Sequence, residues 1–166
     1  TAARVAVGAL VRQLIEPFGV ELKSRVVSIG EVRDMGDVTS DGFYDRVLNS
    51  PVGFGDSESE KAAMEYIDMI KSSGESCGGV VETVVTGVPV GLGSYVHYDR
   101  KLDARLAFSV MSVQAIKGVE IGMGFGAAMT CGSNVHDEIV YNDGFSRVTN
   151  NAGGIEGGMS NGEPIV

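Results

Sequence analysis

The 166 residues carry 13 basic and 22 acidic side chains, for a net charge of -9, and 43% of them are apolar. That balance excludes a disordered or collagen-like chain, allows one ordinary domain with a core, and has the wrong sign for a surface that neutralises nucleic-acid phosphates. Glycine is the outlier at 24 residues, about twice its usual share, so many backbone positions take conformations or contacts that a side chain would forbid.

The chain opens on a helical pattern. Ala2, Ala3, Val5, Ala6, Ala9, Leu10, Leu14 and Ile15 recur at helical spacing, with Arg4, Arg12, Gln13 and Glu16 as the polar complement and Pro17 as the stop. Val20 to Gly30 then alternates like a half-buried strand. Glu31 to about Gly55, rich in Asp, Gly, Ser and Asn, reads as a loop or excursion. A second unit starts at Ser57, which forms an S-x-x-E capping box with Glu60. Ala63, Met64, Ile67 and Ile70 follow at helical spacing, Gly74 is the C-cap, and the strand Gly79 to Val88 comes next. In a third unit, Leu102, Leu106, Val110 and Val113 form a helical stripe closed by Gly118. Val119, Ile121, Met123 and Phe125 then share one face of a strand. Three helix-then-strand units predict a layered α+β fold. A doubly wound parallel sheet is the competitor, but no strand leads into a Gly-rich phosphate turn and a helix. The end, RVTNNAGGIEGGMSNGEPIV, stops on an apolar pair inside an apparent strand, and the start lies inside a helix, so the chain is expected to be a piece of something larger.

No apolar run approaches the ~20 residues of a bilayer span, and the first residues lack a cationic leader with a cleavage site, so the expectation is a cytoplasmic protein with no membrane partner. Cys77 and Cys131 stand far apart with no metal-ligand spacing around either, and are expected to be reduced, buried or half-buried thiols. His97 has Asp99 nearby and His136 is followed by Asp137 and Glu138; each is a surface or packing histidine or a positioned acid or base. Asp99, Arg100, Lys101, Asp103 and Arg105 make a charge run whose i,i+4 pairs stack like charges on a helix face, which leaves it either solvated or engaged by another subunit. In Gly153 to Gly162, paired glycines flank Ile155 and Glu156, with Ser160 and Asn161 as hydrogen-bonding neighbours: a structural turn, or a loop whose backbone approaches a flat or phosphorylated ligand. It is not the G-x-G-x-x-G of a strand-turn-helix, so Rossmann dinucleotide binding does not follow.

TGVPVGLGSYVHYDRKLDARLA from Thr86, VMSVQAIKGVEIGMGF from Val110, GSNVHDEI and TNNAGGIEGGMSNGEPI stand in the order found in the central part of the chorismate synthases, and the chain resembles that family, most like its Gram-positive form, over essentially its whole length. The resemblance implies a β-α-β sandwich with antiparallel sheets around helices. It further implies a homotetrameric lyase of aromatic amino-acid biosynthesis, the last common step of the shikimate pathway: 1,4-anti elimination of phosphate from 5-enolpyruvylshikimate 3-phosphate to give chorismate. Reduced FMN is required without net redox change, with NADPH or a flavin reductase as the electron source. Gln114 and Ala115 match the family's flavin-contacting pair, often Asn-Ala, and Gly157 matches the glycine that lies against FMN. Arg4 falls in the tail of the R-S-S-A-R-E-T-x-x-R segment, a candidate for a phosphate contact. Neither His97 nor His136 matches a catalytic histidine of the family, and its G-x-S-H-G motif, most substrate-binding arginines, the K-P-T-S-S flavin loop and the C-terminal aspartate have no counterpart here. Residues 1–166 are therefore expected to be part of a single domain lacking its N- and C-terminal segments, with no catalytic residue of its own and no activity in isolation. The alternative is a non-catalytic binding or assembly module that keeps the family core.

Overall fold

The computed structural model describes all 166 residues, which form two compact units: Lys23–Thr83, and Thr1–Leu22 together with Val84–Val166. Helices and antiparallel strand pairs are mixed in both, as the α+β expectation requires.

The Lys23–Thr83 unit holds a three-stranded sheet in the order β2-β1-β3, from β1 (Glu21–Ile29), β2 (Val32–Arg33) and β3 (Gly79–Thr86). Strands β1 and β2 pair antiparallel, with Ser28 opposite Arg33. The segment from Glu31 to Gly55, expected to be a loop, instead contains β2 and helix α2 (Phe43–Asn49), and it supplies most of the core. Phe43 and Phe54 are the largest fully buried side chains, and Val47 and Ala63 are buried with them. The sequence hides this because the apolar residues are isolated among turn formers, and polar contacts do the ordering. Asp34, buried between them, accepts from the backbone N–H groups of Gly36, Gly55 and Asp56. Its other neighbour is Arg25, whose Nε donates to Glu82 at 2.7 Å. A buried carboxylate with this many donors fixes the irregular chain as firmly as a ladder would.

Helix α3 (Ser57–Ser72) begins one residue earlier than the capping box implied. Asp56 is the N-cap: its carboxylate accepts from Ser59 N at 2.8 Å and from the Ser59 hydroxyl, which holds its pKa below the ordinary carboxylate value. An aspartate also complements the positive end of the helix, which a serine cannot. The C-terminal expectation holds, with Gly74 at φ +72 just beyond the cap and the Gly74 and Glu75 N–H groups returning to Lys71 and Ile70, a Schellman closure.

The other unit contains α1 (Ala2–Ile15), α4 (Leu102–Met111), the short α5 (Gly132–Val135), and two hairpins: β4 (Ile139–Tyr141) with β5 (Phe145–Arg147), and β6 (Ile155–Glu156) with β7 (Met159–Ser160). Both long helices form where their periodicity placed them, yet neither contributes a buried residue, and Val5, Leu10 and Leu14 stand about two-thirds exposed. The only buried apolar side chains of this unit are Ile155 and Ile165. The strand expected over Val119–Phe125 does not form. Gly122 and Gly124 take φ values of +58 and +53, left-handed angles that break an extended run, and Gly124–Met129 winds into a 3-10 helix. A side chain at Gly122 would meet the Asn151 carbonyl 2.2 Å away, so the glycine serves close backbone packing. The cysteines are unpaired as expected but exposed rather than buried. The like-charge stacking expected of the charge run is absent because α4 starts at Leu102: Asp99 and Lys101 precede it, and Lys101 pairs with Asp103 at 3.2 Å.

Candidate functional site

The Gly-rich segment folds into a pinned hairpin. Glu156 and Met159 are opposite one another, so Gly157 and Gly158 are the two central turn residues, with φ +59 and +84. Positive φ at both positions is the type I′ requirement, which the Gly-Gly pair meets without strain. One edge of β7 is held by the segment before it in space: Ser160 N donates to Leu92 O, Gly91 N donates to Ser160 O, and Gly93 bridges Met159. The buried Ser160 hydroxyl donates to Pro89 O at 2.6 Å and accepts from Leu92 N at 2.9 Å. The tip is fastened as well, since Gly158 O accepts from Leu102 N, the first helical residue of α4, at 2.8 Å and from Ser94 N at 3.3 Å.

The two turn glycines face different surroundings. A Cβ at Gly158 would come within 2.8 Å of Lys101 Cγ and of the Ser94 carbonyl, whereas one at Gly157 would meet no atom within 4 Å. Gly158 is therefore required by packing. Gly157, exposed at φ +59, presents bare backbone to open space on a rigid support.

Behind the hairpin lies a polar network. Glu156 takes hydrogen bonds from Arg147 Nη2 at 2.5 Å and Asn161 Nδ2 at 3.2 Å, and Glu163 accepts from Arg147 N at 2.9 Å. Arg147 Nε is buried without a partner. Asn150 locks the turn from both sides, accepting from Gly154 N and donating to Pro164 O. Asp137 is the hub: buried, it accepts from the Thr149 hydroxyl at 2.6 Å, Asn151 N at 2.7 Å and Ala152 N at 2.9 Å. Burial, the largest single influence, pushes its pKa up, but the Thr149, Ala152 and Asn151 hydrogen bonds and the Arg147 charge together hold it below the ordinary carboxylate value.

Gln114 and Ala115 lie in the turn after α4, where Ile116 N donates to Val113 O at 3.3 Å. Both are exposed, and Ala115 adopts φ +68, a left-handed angle costing a non-glycine residue roughly 1–2 kcal/mol. Arg4 joins them, its guanidinium donating to the Ser112 hydroxyl at 2.8 Å and carbonyl at 3.2 Å. The structure thus brings Arg4, Gln114 and Ala115 to the C-terminal end of α4 and places Gly157 at its N-terminal end, about 15 Å away along ten residues of helix. His97 and His136 are exposed and neither ring makes a hydrogen bond or ion pair, so no acid-base dyad is built on them here. Arg147 is the residue that the sequence motifs do not mark, and Lys101 stands out there only as one charge of a run. Asp137 was visible only as one of two adjacent acids after His136.

These features define an α+β protein whose glycine hairpin, fixed to a helix N-terminus, offers a bare backbone face at Gly157. Residues 1–166 match the family model for chorismate synthase, and the chain belongs to that family. It is 53% identical over 169 residues to the chorismate synthase of Brevibacillus brevis, 53% over 171 residues to that of Caldicellulosiruptor bescii and 51% over 176 residues to that of Geobacter metallireducens. Each alignment covers 100% of this chain and 44–45% of the relative. A solved structure titled as chorismate synthase superposes with a TM-score of 0.91 at 43% identity, over 98% of this chain and 52% of that one. The chain therefore spans about half the length of the relatives it matches.

Proposed function

We propose that these residues are the central part of one domain of a cytoplasmic, homotetrameric chorismate synthase, which eliminates phosphate from 5-enolpyruvylshikimate 3-phosphate to give chorismate with the help of reduced FMN. The observation that carries the reading is Gly157 in a chain of this family: a backbone surface with nothing within 4 Å of its Cβ direction, on a hairpin anchored at both strand and tip. That surface fits a planar ring, because any side chain there would occupy the volume the ring needs. When bound, the reduced flavin supplies electron density to the substrate as phosphate departs, and NADPH or a flavin reductase keeps it reduced.

On this reading the chain's own residues position and do not catalyse. Gly157 gives the ring its contact surface, Asp137, Asn150 and Glu156 hold that surface still, and Gln114 and Ala115, with Arg4 beside them, form a second contact at the other end of α4. The proton-transfer groups and most of the cationic lining for a phosphate, two carboxylates and FMN belong to the length that the relatives have beyond this chain, in keeping with a charge of -9 here. The exposed apolar residues of α1 and α4 are the faces that this additional length covers.

The test is an FMN titration followed by flavin fluorescence, on a polypeptide carrying these residues at the length of the relatives, with substrate present. Saturable binding is expected, weakened at least tenfold by Gly157→Asn at an unchanged far-UV circular dichroism spectrum, because asparagine tolerates the left-handed angle of this turn and its Cβ would meet no protein atom within 4 Å, while its side chain fills the ligand face. Equal binding by both proteins would remove Gly157 from the site.

A further inference from the structure

We infer that Lys101 is the cation that meets the negative charge of a flavin seated on Gly157, an inference that rests on the flavin reading above. Its stem lies flat on the hairpin tip: a Cβ built on Gly158 would come within 2.8 Å of its Cγ and 3.0 Å of its Cε. Gly157, the neighbouring turn residue, faces open space, so the Lys101 stem lies one residue along the turn from the bare backbone surface. Lys101 is the residue immediately before α4, where the partial positive charge of a ten-residue helix adds to its own.

The rest of its surroundings leave the charge available. Its one ion-pair partner is Asp103 Oδ2 at 3.2 Å, with the two side chains 41% and 33% exposed. A pair this open is worth little and is readily exchanged for a better anion. Arg147, the other cation of the hairpin, is held beneath it by Glu156 with its side chain only 13% exposed, and so is committed to the scaffold. Arg4, at the far end of α4, is engaged by Ser112. Among the cations near this end of α4, Lys101 is the one whose stem lies on the hairpin tip, which places it to respond to charge on the ligand, whether that charge sits on the reduced ring or on the phosphate.

The experiment measures the Kd of oxidised FMN, dithionite-reduced FMN and neutral oxidised riboflavin for the relative-length polypeptide and three variants. Lys101→Met is expected to weaken reduced FMN, oxidised FMN or both about tenfold, the effect of one charge-assisted hydrogen bond, while riboflavin stays within twofold. Loss confined to the reduced form assigns the ring as the partner, and loss in both forms assigns the phosphate. Lys101→Arg is expected to bind like the parent, and Asp103→Asn, which frees the ammonium, to bind the anionic forms more tightly. A merely structural lysine would weaken all three ligands equally in Lys101→Met, and that result, or no change in any of them, overturns the inference. If the parent polypeptide binds neither FMN nor riboflavin, the flavin reading itself fails and the inference falls with it; binding by the parent with an indifferent Lys101→Met overturns the inference alone.

Discussion

An Asp137→Ala variant is expected to lose about 3 kcal/mol or more of stability in the unit that holds the glycine hairpin, and to free the turn at residues 150–154. The carboxylate is buried and takes three hydrogen bonds, two from backbone N–H groups that have no other acceptor. Deleting it leaves those two part-buried N–H groups unpaired, at about 1–3 kcal/mol apiece. Hydrogen exchange locates the effect: the amides of Asn151 and Ala152 should lose protection first. The same geometry sets a pH dependence. Since the folded pKa lies below the unfolded value of about 3.9, the carboxylate contributes stability that is fully present above about pH 4 and is lost as pH falls through the folded pKa. Asp137→Asn should remove that acid-sensitive component, visible as a flatter dependence of the denaturation midpoint on pH below about 4.

A Phe43→Ala variant should cost about 3–5 kcal/mol in the Lys23–Thr83 unit, read as a lower denaturant midpoint. Its ring is 2% exposed, meets Tyr44 edge-on at 5.2 Å and lies 5.7 Å from the Arg25 guanidinium and 5.8 Å from that of Arg46. Truncation therefore removes apolar burial and two cation–π contacts together, in a unit whose buried apolar residues are few. Phe43→Leu should recover more than half of the loss, and a cost below about 1 kcal/mol for Phe43→Ala would show that the segment is not the core of its unit.

Much of the fold was legible wherever regular periodicity did the work. Helices α1, α3 and α4 and strands β1 and β3 lie within a few residues of where apolar spacing put them, because in those segments pattern and propensity agree. The failures share a physical cause. Residues 31–55 are ordered by Asp34, a single carboxylate whose three backbone donors come from positions up to 22 residues away, and no local window contains that information. Val119–Phe125 alternates like a strand, but Gly122 and Gly124 take left-handed angles, Gly122 for close packing on Asn151 and Gly153, and these override the alternation.

The candidate site was legible through its glycines rather than through its chemistry. Composition left GGIEGG open between a turn and a ligand loop, and in the structure its two turn glycines differ: Gly158 is demanded by the Lys101 stem and the Ser94 carbonyl, while Gly157 has free space before it. Lys101 was visible only as one charge in a run, since its pairing with Asp103 and its place over Gly158 depend on α4 beginning at Leu102. The separation of Gly157 from Gln114 and Ala115 by the length of α4 could not be read from motifs, which report order along the chain and not distance.

The most direct test is anaerobic turnover of 5-enolpyruvylshikimate 3-phosphate with reduced FMN, following phosphate release and chorismate absorbance, for the 166 residues alone and for a polypeptide that carries them at the length of the relatives. The longer protein is expected to release phosphate and form chorismate in equal amounts, only with the flavin reduced, while the 166 residues alone release none. Turnover by the 166 residues alone, or none by the longer protein with reduced FMN, would contradict the account.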